Sequence, residues 1–156
     1  MDSQNYRVVR ERSNGAVSVI QIMKSGKEQL EKYAKEKNGF IIHVDKIPDT
    51  TYRYAWVVDR KKKKIIVDAR IVADSLLSTI RSIRNGKLAE LDVPSIRALE
   101  DGDVEESKRI KARKQELRDL PEKVKERLDK IVNNSQKRNE TKLKELEKFK
   151  VPELEN

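Results

Sequence analysis

The sequence predicts an α+β protein: a small N-terminal β-hairpin and sheet domain with one short helix, then a mainly α-helical C-terminal half with a coiled-coil-like arm. Three observations predict it. Short β-branched and aromatic runs, separated by turn residues, crowd into the first 68 positions. Beyond Asp68 the apolar residues recur at helical spacing and glycine and proline become scarce. Charged residues make up 40% of the 156 and aromatic residues 4%, so much of the chain is solvent-facing helix around a modest core.

Within "YRVVRERSNGAVSVIQIM", two extended runs, Tyr6 to Arg12 and Ala16 to Met23, flank Asn14-Gly15, a pair that tolerates positive φ, so a β-hairpin is expected. Val17 and Val19 alternate with Ile20 and Ile22, so both faces carry apolar groups and at least one is covered. Ser25 with Glu28 has the spacing of a capping box, and Asn38-Gly39 that of a stop, which predicts a short helix between them. Leu30, Tyr33 and Ala34 form its apolar stripe. "FIIHVD" at 40–45, "YAWVVD" at 54–59 and "KIIVD" at 64–68 read as strands, with "KIPDTT" as a turn.

After Asp68, Ile71, Val72, Leu76, Ile80 and Ile83 fall at helical spacing, with Asp68 as N-cap and Asn85-Gly86 as the stop. "KLAELDVPSIRALEDGD" contains a brief helix or a pair of turns. From Asp103 the chain reads as helix almost to Phe149, broken or kinked near Pro121, and "VPELEN" is expected to fray. The domains expected are a head at 1–68, a helical body at 69–120, an extended helical arm at 121–149 and a frayed tail at 150–156.

Composition narrows the function. Without cysteine there is no disulfide, no thiolate nucleophile and no sulfur-ligated zinc. No window has the apolar length of a membrane span, and "MDSQNYRVVRERSNG" lacks the apolar core of a secretory signal, so a soluble product with no membrane partner is expected. "EDGD" fails the ligand spacing of a calcium loop; Gly102 ending one helix and Asp103 capping the next, with Glu106 placed to close a capping box, accounts for more residues. His43, the single histidine, and Trp56 fit structural roles in strands. No enzyme, cofactor or metal is expected, because no acid, base and nucleophile converge.

A net charge of +9 suits phosphate, an anionic surface or an acidic protein. Arg60, Lys61, Lys62, Lys63 and Lys64 are the candidate nucleic-acid contacts, weighed against a lysine-rich hairpin turn that explains the same run. Lys108, Arg109, Lys111, Arg113 and Lys114 circle their helix with no aromatic interleaved for base stacking, which favours a solvated face. In the later helical part, Ile110, Leu117, Val124 and Ile131 recur every seven residues. This seam is too thin for a monomeric core, so Val124, Leu128, Ile131, Leu143 and Leu146 are the expected partner contacts.

One further pattern runs over residues 47 to 121: Pro48, Tyr52 and Ala55-Trp56; Val67-Asp68 opening a helix; Leu88, Leu91, Asp92 and Val93; Ala98, Leu99, Glu100, Gly102 and Asp103; then Lys114, Gln115, Leu117, Arg118, Asp119 and Pro121. This order resembles small proteins encoded among the tail and virion genes of tailed bacteriophages and prophages, and "LRDLP" is similar to the close of tail-fibre assembly chaperones. The resemblance implies a virion structural protein of the tail, fibre-attachment or head-to-tail connector region, made in the host cytoplasm, homo-oligomeric and bound to other phage virion proteins. A tail-fibre assembly chaperone and a basic nucleic-acid-binding protein are the alternatives. The chain is more basic than the family pattern, and residues after Pro121 lie outside the match.

Overall fold

A computed structural model of the chain describes residues 3–22 and 26–154. The fold is α+β, and the chain divides into two compact units, Met1–Asp68 and Ala69–Asn156.

The first unit holds β1 (Tyr6–Glu11), β2 (Val17–Ile20), α1 (Lys27–Glu36), β3 (Phe40–His43), β4 (Trp56–Asp59) and β5 (Lys64–Val67), with short 3-10 turns at Val44–Lys46 and Thr50–Ala55. Two antiparallel sheets form, one ordered β2-β1-β3 and one of β4 with β5. The register sets Val8 beside Ile20 and Ile41, and these pack with Leu30 and Ala34 of α1. Val9, on the other face of β1, is also fully buried, so the central strand is covered on both sides.

Gly15 supplies the positive φ of the β1–β2 turn, at 78°, and Ala16 N donates to Asn14 Oδ1. The expected cap at Ser25, and Met23 at the end of the second run, lie outside the described residues; at the start of α1, Gly26 N donates to Gln29 Oε1. At the helix end the left-handed residue is Asn38, with φ 52°, followed by Gly39 N donating to Ala34 O at 2.7 Å. Gly39 is needed for space: a Cβ there would lie 2.3 Å from Val9 O.

The second unit comprises α2 (Ala69–Glu90), α3 (Asp92–Glu100), α4 (Val104–Val132) and α5 (Asn139–Glu147). Its helices depart from expectation in three places. First, α2 continues through Asn85-Gly86 for 22 residues. Gly86 does not take the positive φ of a helix stop. An interior glycine costs only about 1 kcal/mol against alanine, and Lys87-Leu88-Ala89-Glu90 are strong helix formers.

Second, α4 runs 29 residues without ending at Pro121, so the expected boundary between body and arm falls inside a helix. Proline cannot donate to the carbonyl four residues back. Burial offsets part of that cost and holds the helix together across it, since Leu117, Leu120, Pro121, Val124 and Leu128 form one buried face. The chain turns instead at Asn133–Arg138, and α5 packs back on α2 and α4.

Third, the tail is held as far as residue 154. Val151 is buried, Arg127 donates to Lys150 O at 3.1 Å and Arg113 to Glu153 O at 2.8 Å, while the Arg127 guanidinium stacks on Phe149. Within the same unit Arg70 bonds Asn133, and Lys142 Nζ donates to Val132 O at 2.6 Å.

Candidate functional site

The residues expected to seek a partner are largely consumed by the chain's own core. Val124, Leu128 and Leu146 are buried within the second unit, and Ile131 and Leu143 are half-buried. The premise that the seam could not bury itself is corrected: the fold-back of α5 supplies the missing surface, and Lys137 with Glu145, 2.6 Å apart, ties the turn to α5.

Of the basic run, residues 60–63 form the β4–β5 turn and Lys64 opens β5. Arg60 is engaged, donating to Glu11 Oε2 at 3.2 Å and to both oxygens of Asn38, which leaves Lys61, Lys62, Lys63 and Lys64 exposed. Asp59 Oδ1 accepts from Lys62 N, and Lys63 takes φ 48° to close the turn. Lys63 and Lys35 share a cleft of about 430 Å³ with Glu31 and Phe40.

The other singled-out groups are structural. His43 Nδ1 accepts from Asp45 N and its ring meets Tyr6 edge to face. Trp56 is buried beneath the Arg53 guanidinium, with its Nε1 unpartnered among the described residues. No group of three or more metal-ligating side chains occurs among the described residues, and none of their helices is long and apolar enough to cross a membrane.

The unexpected surface is the corner made by α3 and the start of α4. Pro94 sits in the first turn of α3, where no helical hydrogen bond is lost. The end of α3 is closed by Gly102 with φ 69°, Gly102 N donating to Leu99 O and Asp103 N to Ala98 O. Asp103 then caps α4, its Oδ1 accepting from Glu106 N at 2.9 Å. The reciprocal half of the expected capping box does not form, because Asp103 N is already spent on Ala98 and the Glu106 carboxylate is taken by Arg109 at 2.7 Å. That carboxylate raises the Arg109 pKa from its ordinary value, by hydrogen bond first and charge second.

The hairpin is antiparallel, with Lys114 Nζ reaching Asp92 Oδ1 at 2.9 Å on the side away from the Gly102 turn. Against α4 it turns Ala98, which is buried, with half-buried Leu91 and Ser95. Outward it turns Val93 (55% exposed), Ile96 (55%) and Leu99 (71%), joined by Val104 (61%). An apolar row at i, i+3, i+6 facing solvent is unusual for a surface helix, whose outer face is normally polar. A shallow groove of about 360 Å³ lies beside it, lined by Ala98, Leu99, Gly102, Val104, Ser107 and Lys111 among others.

Sequence reasoning treated 87–103 as connecting structure and missed this face. The signal was present: in "LDVPSIRALE" the apolar residues fall into two sets, 91/98 and 93/96/99, and one neighbouring helix can cover only one of them. Several residues that carry the phage-protein resemblance, Val93, Leu99, Gly102 and Asp103, lie on this corner.

No family model, curated protein or solved structure matches the chain.

Proposed function

We propose that the chain is a non-catalytic structural protein that works by protein–protein docking, and that its docking face is the outer side of the α3–α4 corner. The observation that carries this reading is the exposed row Val93, Ile96, Leu99 with Val104, on a corner whose inner side is already packed. Taking such a side chain from full exposure to full burial is worth roughly 1.5–3 kcal/mol, and the 55–71% that is still exposed leaves more than half of that for a partner. Exposed contiguous apolar faces of this kind suit association.

The order of motifs over 47–121 supports a place among virion proteins of the phage tail, fibre-attachment or connector region. Quantitative mass spectrometry of purified particles from a phage encoding the chain tests this. Stoichiometric copies are expected; presence only in infected-cell extract identifies an assembly chaperone instead, and absence from particles and assembly intermediates alike overturns the virion reading. Incorporation of Leu99→Glu at the wild-type level would overturn the docking face.

A further inference from the structure

The corner is complementary to itself. It carries knobs, Ile96 and Leu99, and beside them a groove whose wall at Ala98 and Gly102 is built from small residues, so both halves of a packing contact lie on one surface. That is the requirement of a two-fold interface, in which the same patch serves both subunits.

The charges repeat this pattern. Around the patch Lys108 is paired with Glu105, Arg109 with Glu106 and Lys114 with Asp92. Besides Asp103, whose carboxylate caps α4, the exposed groups with no ion pair among the described residues are Glu100 and Asp101 at the tip of the hairpin, and Arg97 and Lys111 about one turn or more behind it. A wholly acidic or wholly basic partner satisfies one half of this rim and opposes the other. Two hairpins laid antiparallel place the acidic tip of each against the cations of the other, and α3 meets its copy with opposed macrodipoles.

We infer that the docking face is occupied by a second copy of this chain, through an antiparallel α3–α4 to α3–α4 contact with Leu99 of each copy seated in the other's groove. This rests on the docking reading above and names its partner. The contact is modest in area, so a reversible dimer forms, and the charges fix its direction.

Sedimentation and light scattering of the full chain over a wide concentration range test the inference. The wild type is expected to pass from monomer to dimer. Leu99→Glu, at a position too exposed to hold the fold, weakens the dimer by more than about a hundredfold, since a carboxylate would be buried unpaired. The tip-reversed variant (Glu100→Arg with Asp101→Arg) and the rim-reversed variant (Arg97→Glu with Lys111→Glu) each weaken it about tenfold. Mixed in equal amounts, these two restore association, because tip and rim are again opposite in sign. Circular dichroism checks that every variant stays folded, and Val104→Lys provides a second apolar-face variant. A chain that stays monomeric throughout, a dimer indifferent to Leu99→Glu and Val104→Lys, or reversed variants that do not rescue each other overturns the inference. A monomeric wild type whose Leu99→Glu variant is lost from particles removes the second copy and keeps the docking reading. A patch-dependent dimer whose Leu99→Glu variant still enters particles normally keeps the second copy on this face and removes the face's part in building the particle.

Discussion

Leu128→Ala separates a residue of the chain's own core from one waiting for a partner. Leu128 is 2% exposed and lies on the buried face of α4 with Leu117, Leu120, Pro121 and Val124. Truncation removes three carbons and leaves a cavity that the flanking helices close only in part, a change that costs about 2–5 kcal/mol. Helical domains of this size have an unfolding free energy of about 5–15 kcal/mol and a urea dependence of about 1–3 kcal/mol/M. The midpoint of helix loss should therefore fall by about 1–2 M urea. The assay is far-UV circular dichroism, which reports the helices of the second unit; tryptophan fluorescence does not, because Trp56, the single tryptophan, lies in the first. The shift should be the same at low and high protein concentration, since the lost contacts are intramolecular. Leu99→Ala, at 71% exposed, should stay within about 0.5 kcal/mol of wild type. A Leu128→Ala midpoint that is unchanged in dilute protein and falls only where the chain associates would refute this assignment and return the seam to an intermolecular role.

Pro121→Ala should stabilise the second unit: an interior proline costs roughly 3 kcal/mol against alanine, and the buried methylenes lost with its ring are worth about 0.8 kcal/mol each, so the urea midpoint should rise. Gly39→Ala should destabilise the first unit, with Trp56 fluorescence as readout, because the new Cβ would lie 2.3 Å from Val9 O and the backbone of the central strand would have to shift. Asp103→Ala should cost about 1 kcal/mol by uncapping α4. The Lys125–Asp129 contact, 2.7 Å long, gives a pH dependence of known sign. Its hydrogen bond holds the Asp129 carboxyl below its ordinary 3.8, so that contribution is present above the unfolded pKa and is lost as pH falls through the folded one. Lys125 is raised above 10.5 by the same bond, so its contribution is present below that value and is lost as pH rises through its folded pKa. Asp129→Asn should flatten both edges in midpoints measured across pH.

What the sequence made legible was what local chemistry decides. Asn14-Gly15, Asn38-Gly39 and Gly102-Asp103 each mark a chain reversal or a helix end, because positive φ and capping oxygens are properties of a few adjacent residues. Asn85-Gly86 has the same letters and does not stop its helix. The difference lies downstream, where the good helix formers after Gly86 outweigh one glycine. Pro121 and the turn at Asn133–Arg138 show the limit from the other side. A proline whose ring is buried stays inside a helix, and a break whose "NNSQ" lacks both glycine and proline gives only a weak signal. Whether a heptad seam faces its own chain or another depends on that break, because only a fold-back brings α5 over the seam.

The proposed docking face could not be reached by looking for apolar residues that recur, because recurrence marks the seam that the chain buries itself. It is found by asking which apolar residues remain once each helix has used its inner face. α3 has nine residues, too few to be stable alone, and it stands because Ala98 packs inward, Lys114 reaches Asp92 and Gly102 closes its end. None of these supports uses the side chain of Val93, Ile96 or Leu99; Leu99 contributes only its carbonyl, to Gly102 N. The outer row can therefore be altered with little loss to the hairpin, and more than half of the surface of Val93, Ile96 and Leu99 stays in water in the single chain. Such a face, bordered by unpaired charges of both signs, is what the proposed association would use, and a second copy would match both signs at once.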